Sequence, residues 1–181
     1  MITKILLGLA FVVVGLLIVV SLRPGEFRVE RTAHLSSSPA VLFELVNHQR
    51  RVPEWNPFLK LDPNVKITFS GPDEGVGSVC SWDGNGEVGA GSCTITESVA
   101  GERVRCRMDW QRPMTGTATV DFTFKAERDQ TAVTWAMYGT NRFLGKAMSL
   151  VFDCEKICGP QFEKGLAALG AIAGSASLTA K

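Results

Sequence analysis

Four indoles, at Trp55, Trp82, Trp110 and Trp135, are the side chains of this sequence best suited to holding a ligand. An indole offers a wide apolar face and one N–H donor, so several converging on one hollow would grip an apolar molecule. Asn56, Met108, Phe122 and Met137 fall in the same pattern, and Gly89 and Gly91 are places where a wall would lack side chains. Acid–base chemistry would require a titratable group within hydrogen-bond reach of that hollow. His34 and His48 are far apart and near no Ser or Cys nucleophile motif, so each reads as a surface or satisfied histidine. Cys80, Cys93, Cys106, Cys154 and Cys158 form an odd set with no CxxC pair and no zinc signature. They read as small buried side chains. No catalytic residue, metal ligand or cofactor motif is assigned.

The elements that must position these residues follow from periodicity. Phe27, Val29, Ala33 and Leu35 alternate with polar neighbours, which predicts a half-buried strand with Arg31 as its one misfit. Ser38-Pro39 is an N-cap followed by proline, and Val41, Leu42, Leu45 and Val46 then recur at helical spacing. Pro53 and Pro57 bracket Trp55 and Asn56, which makes that stretch a turn or broken helix. Glycine and proline then space six strand candidates, at about 65–70, 76–83, 87–98, 103–111, 117–126 and 131–139. A long helix is expected from Asn141 to about Ala173, kinked or split at Gly159-Pro160, with a frayed tail over 174–181.

A hairpin pairs residues whose numbers share a constant sum, so each turn fixes which side chains share a face. A two-residue turn at Asn85-Gly86 would set Trp82 opposite Gly89 and Cys80 opposite Gly91. Turning at Ala100-Gly101 sets Cys93 against Met108, Gly91 against Trp110 and Ile95 against Cys106. Turning at Arg128-Asp129 pairs Phe122 with Trp135, Phe124 with Val133 and Val120 with Met137. Only the turn near Pro113 needs an odd loop or a bulge, to keep Met108 beside Val120. One face thus collects the aromatic and apolar residues. The other carries Glu87 or its neighbours, Arg103, Arg105, Arg107, Asp109, Asp121 and Lys125.

The expected fold is α+β: a curved antiparallel sheet of about seven strands gripping a long C-terminal helix, preceded by one N-terminal transmembrane helix. This order of elements resembles the START-like helix-grip (SRPBCC) superfamily, in its bacterial polyketide cyclase/dehydrase-like branch. The stretches that carry the resemblance are Ser-Pro-Ala-Val-Leu-Phe at 38–43, Trp-Asn-Pro-Phe at 55–58, Gly-Val-Gly-Ser-Val-Cys-Ser-Trp at 75–82, Thr-Ala-Val-Thr-Trp-Ala-Met at 131–137 and Phe-Glu-Lys-Gly-Leu at 162–166. The resemblance implies a hydrophobic tunnel between sheet and helix for lipids, polyketides, sterols, quinones or similar molecules. It also keeps a cyclase or dehydratase as an alternative, with Arg31, His48, Asn56 or Tyr138 at the tunnel mouth. A structural or partner-binding module with a filled core is the third reading.

Composition narrows the choice further. The 19 basic and 18 acidic side chains nearly cancel, and no run of Arg or Lys is interleaved with aromatics, which excludes a nucleic-acid footprint. Ile5 to Leu22 is free of charge, and as a helix it would span about 27 Å. The expectation is therefore a membrane anchor over 1–23, single-pass with the domain external, a helix-grip domain over 24–173 and the tail beyond. The functional expectation is a membrane-anchored binder of an apolar small molecule or lipid, contacted by Trp55, Asn56, Trp82, Gly89, Gly91, Met108, Trp110, Phe122, Trp135 and Met137. No protein partner is named by the sequence.

Overall fold

The structure is a computed structural model that describes residues 2–141, 143–150 and 153–179. Helix α1 spans Ile2–Leu22, and strand β1 follows at Glu26–Leu35. Ser38 then caps α2 (Pro39–Asn47): its hydroxyl accepts from the Val41 N–H at 3.4 Å, with Pro39 opening the helix. The proline-bracketed stretch breaks into a 3₁₀ turn (Gln49–Arg51), a single turn α3 (Val52–Trp55) and a second 3₁₀ turn (Phe58–Leu61). Six strands come next: β2 (Lys66–Ser70), β3 (Val79–Asp83), β4 (Ala90–Val99), β5 (Arg103–Arg112), β6 (Gly116–Glu127) and β7 (Gln130–Thr140). The chain closes with α4 (Phe143–Met148) and α5 (Cys154–Thr179).

The strands form one antiparallel sheet in the order β1-β7-β6-β5-β4-β3-β2, so the first strand crosses over to pair with the last. Alternation then does what period two requires. Val104, Cys106, Val120, Phe122, Phe124, Val133, Trp135 and Met137 are buried on one side, and α2 and α5 cover them with Leu42, Leu45, Phe162, Leu166 and Leu169. On the other side Arg105 grips Asp121 through two bonds of 2.7 and 2.9 Å, and Arg107 meets Asp109 at 2.9 Å. Arg31, the misfit of β1, reaches across to α5 and pairs with Glu155 at 2.6 Å and Glu163 at 2.7 Å.

Register follows the expected pairings at two turns and departs at two. Gly91 faces Trp110, Cys93 faces Met108, Phe122 faces Trp135 and Val120 faces Met137. Trp82, however, stands opposite Gly91, and Cys80 opposite Cys93. Asn85 does not make a two-residue hairpin, because its side-chain oxygen accepts from the N–H groups of Glu87 and Val88 while Asp62 accepts its own N–H. That widens the loop and slides the pairing by two, which leaves every side chain on its expected face. At the β5–β6 turn Met108 faces Ala118, and Val120 faces Cys106 instead.

Two expectations are corrected at the ends of the chain. The C-terminal helical region divides between Met148 and Cys154, and Pro160 lies inside α5. The expected tail over 174–181 ends in residues 180 and 181, which lie outside the described residues. The transmembrane helix, and with it the membrane localisation, is overturned: among the described residues no helix is long and apolar enough to cross a membrane. A span needs about 20 consecutive apolar residues. Gly8, Gly15 and Ser21 interrupt α1, the Ser21 hydroxyl turns back to the Leu17 carbonyl at 2.8 Å, and near the end of the helix Val20 is buried and α1 touches α4.

Candidate functional site

Between the sheet, the broken-helix segment and α5 lies a cavity of about 260 Å³. Its floor is the apolar side of β3 to β7, and its roof is Val46, Gln49, Val52, Trp55, Asn56, Phe58 and Leu59 with Cys158 and Phe162 of α5. One end is closed by the β3–β4 and β5–β6 turns, which bring Glu87, Val88, Arg112 and Pro113 to the wall. All four indoles of the protein line this space.

The aromatic packing explains why the hollow keeps its shape. Trp135 stacks on Phe162 with centroids 4.2 Å apart, Trp55 meets Trp135 edge-on at 5.5 Å, and Phe58 meets Phe162 edge-on at 6.2 Å. Such contacts add roughly 0.5–1.5 kcal/mol each beyond area burial. Glycines provide clearance at two points. A Cβ on Gly165 would fall 2.6 Å from the Trp135 ring, and one on Gly91 would fall 2.7 Å from Trp82 and 2.5 Å from the Asp109 carbonyl.

Polar groups on the wall are few, and their bonding states differ. The Trp55 indole donates to the Leu45 carbonyl at 3.1 Å, and the Asn56 side-chain oxygen accepts from the Phe58 N–H at 3.0 Å. Arg112 is paired with Asp83. Among the described lining residues, two buried atoms have no hydrogen-bond partner: the Gln49 Oε1 and the Trp135 Nε1, on residues only 2 % and 3 % exposed. Leaving such groups unpaired costs about 1–3 kcal/mol each. The wall also holds three thiols on adjacent strands. Burial, then the neighbouring Cys93, pushes the Cys80 thiol up to about 12. A hydrogen bond with Cys106, then burial, raises Cys93 well above the usual thiol range. Neither supplies a thiolate near neutral pH.

Of the ten residues expected from sequence, Trp55, Asn56, Trp82, Met108, Trp110, Phe122, Trp135 and Met137 stand on this one wall. Gly89 and Gly91 do not. The space above Gly91 is taken by the Trp82 indole, and Gly89 serves the loop, with φ +68° and the Arg112 carbonyl packed where a Cβ would be. Arg31, His48 and Tyr138 are not among the lining residues: Arg31 pairs with α5, His48 lies between Glu44 and Glu74, and Tyr138 donates to Asp121 on the opposite side of the sheet. Glu87, expected outside, borders the cavity because the widened loop folds back over it. Gln49 escaped the sequence reading altogether, since it sits in a 3₁₀ turn with no periodicity to flag it.

Comparison with known proteins agrees with the architecture. The profile of the family described as activator of Hsp90 ATPase homolog 1-like protein matches residues 36–159. No curated protein matches the chain. Among solved structures, the Aha1 dimer from Colwellia psychrerythraea is 16 % identical, with a TM-score of 0.59 over 81 % of this chain and 96 % of that one. The di-domain ARO/CYC StfQ from the steffimycin biosynthetic pathway is 10 % identical, with a TM-score of 0.62 over 84 % of this chain and 52 % of that one. Major latex-like protein 151 from Panax ginseng is 14 % identical, with a TM-score of 0.58 over 82 % of this chain and 98 % of that one. At these identities the likeness establishes the fold alone.

Proposed function

This chain belongs to the activator of Hsp90 ATPase homolog 1-like family, within the START-like helix-grip superfamily, and from that fold and the cavity's make-up we propose that it binds a compact apolar small molecule carrying one polar group. The observation that carries this reading is a mostly apolar hollow lined by all four indoles, with Gln49 and Trp135, whose Oε1 and Nε1 are buried without a hydrogen-bond partner, among its lining residues. A ligand offering a hydroxyl or carbonyl would give those groups a hydrogen bond once either side chain turns toward it.

Size sets the class of molecule. A cavity of 260 Å³ exceeds the roughly 150 Å³ that accepts benzene and falls just short of the roughly 300–1,000 Å³ of drug-sized sites. Molecules of a few fused rings or a single short chain fit that range better than a two-chain lipid. Glu87 and Arg112 are the charged residues among the described lining, and Arg112 is engaged by Asp83. That leaves little on the wall for acid–base turnover, which supports holding a ligand over a cyclase or dehydratase reaction.

The test is intrinsic fluorescence. With every indole on the wall, titrating the full-length chain with small aromatic alcohols, ketones and their hydrocarbon parents should quench or shift the emission saturably. The oxygenated member of each pair should bind more tightly. A response absent for every compound, or equal for parent and oxygenated partner, overturns the reading.

A further inference from the structure

We propose that Cys154 and Cys158 form a reversible thiol–disulfide pair at the edge of the cavity, a modification site that responds to hydroperoxides. The five cysteines divide by placement. Cys80, Cys93 and Cys106 sit in the sheet wall, with Cys80 and Cys106 almost fully buried. Cys154 and Cys158 are partly exposed, stand on successive turns at the start of α5, and hold their sulfurs 3.6 Å apart. Cys158 is itself part of the cavity wall.

Electrostatics around the pair distinguish an attacking sulfur from a resolving one. The hydrogen bond from the Cys158 thiol lowers the pKa of Cys154 against the opposing effects of burial, Asp153 and Glu155. The same bond, then burial, raises Cys158. Position reinforces this: Cys154 is the first residue of a long helix, where the unpaired N–H groups favour negative charge. Arg31 engages the neighbouring Glu155 at 2.6 Å and Lys156 meets Asp153 at 3.7 Å, which offsets both of those charges.

The chemistry balances with a hydroperoxide as oxidant. The Cys154 thiolate attacks the distal peroxide oxygen, giving a sulfenic acid and, after proton uptake, water or an alcohol. The Cys158 thiol then displaces water from that sulfur and forms the disulfide, so two thiols are oxidised as one peroxide is reduced. Geometry adds a consequence. Helical neighbours four apart keep their Cβ atoms about 5–6 Å apart, whereas a disulfide needs about 3.8 Å. The first turn of α5 must therefore loosen. It is held at its start by the Asp153 side chain, which accepts from the Glu155 N–H at 3.1 Å. Closing the bond draws Cys158 along with it and so alters the cavity wall, whatever molecule occupies it.

The test uses the reduced full-length chain, one equivalent of hydrogen peroxide, alkylation in denaturant and intact-mass and peptide analysis. The expected result is the loss of two hydrogens, three alkylatable cysteines left, a bond mapped to Cys154–Cys158, and reversal by a dithiol. Cys158→Ser should instead accumulate a sulfenic acid on Cys154 that dimedone traps, and Cys154→Ser should give neither product. Five alkylatable thiols after peroxide, or a bond mapped elsewhere, overturns the proposal. Should either variant fail to fold, iodoacetamide labelling of the native wild type decides: Cys154 should react at least about tenfold faster than Cys80 and Cys93, and equal rates overturn it.

Discussion

Trp135 and Phe162 lie face to face, with ring centroids 4.2 Å apart and planes inclined by only 6°. One ring belongs to β7 and the other to α5, so this stack joins the sheet to the long helix beside the ion pairs of Arg31 on β1 with Glu155 and Glu163. Both rings also border the cavity. Part of the wall is therefore also a contact between α5 and the sheet, and changing that part changes the stability of the fold.

Phe162→Ala removes one face of that stack from a residue only 1 % exposed. The expected loss is about 3–5 kcal/mol, read as a lowered urea midpoint. A loss under about 1 kcal/mol would show that α5 is held elsewhere.

Gln49→Leu exchanges an amide with an unpartnered buried oxygen for an apolar side chain of similar size. The empty protein should gain about 1–3 kcal/mol in chemical denaturation. The advantage of oxygenated ligands over their hydrocarbon parents in the fluorescence titration should shrink by about tenfold, the equivalent of one lost hydrogen bond. A destabilised variant with the preference intact would remove Gln49 from the site.

Gly91→Ala drives a methyl group against the Asp109 carbonyl and the Trp82 indole, neither of which is a flexible chain end. Overpacking of this kind costs about 1–3 kcal/mol. Displacement of Trp82 should also move the emission maximum toward that of a hydrated indole. An unchanged spectrum would mean the strand yields instead.

Asp121 gives the protein an acid-sensitive brace. Burial alone would raise its carboxyl, but the bonds from Arg105 and the Tyr138 hydroxyl, with the charges of Arg105 and Arg103, outweigh that and hold it below its usual value. A depressed carboxylate contributes its full stabilisation above the unfolded value of about 3.9 and loses it as pH falls through the folded value. Asp121→Asn should therefore be less stable than the wild type at pH 7, with the gap narrowing below about pH 4. Equal offsets at pH 7 and pH 2.5 in thermal melts would contradict this.

Which residues face inward was legible in the sequence because period two survives errors of register. The Asn85 loop slid β3 by two positions, yet Trp82 and Cys80 kept their side. What periodicity does not encode is bonding. Nothing in the chain marks Gln49 as a buried polar group without a partner, or shows that the Asn56 oxygen is used by its own backbone. Arg31 looked like an error in an alternating strand and is the ion-paired tie to α5, since its partners lie more than a hundred residues away. Hydropathy over Ile5–Leu22 likewise suggested a span but could not register that Val20 is buried and that α1 touches α4.

The crossover of β1 to the far side of β7 has a bearing on synthesis. Glu26 pairs with Thr140 and Leu35 with Thr131, so the earliest strand to leave the ribosome waits for the latest before it finds its neighbour. Loop-closure entropy over that separation slows assembly, and the nascent chain must carry an unmatched ribbon edge through most of its elongation.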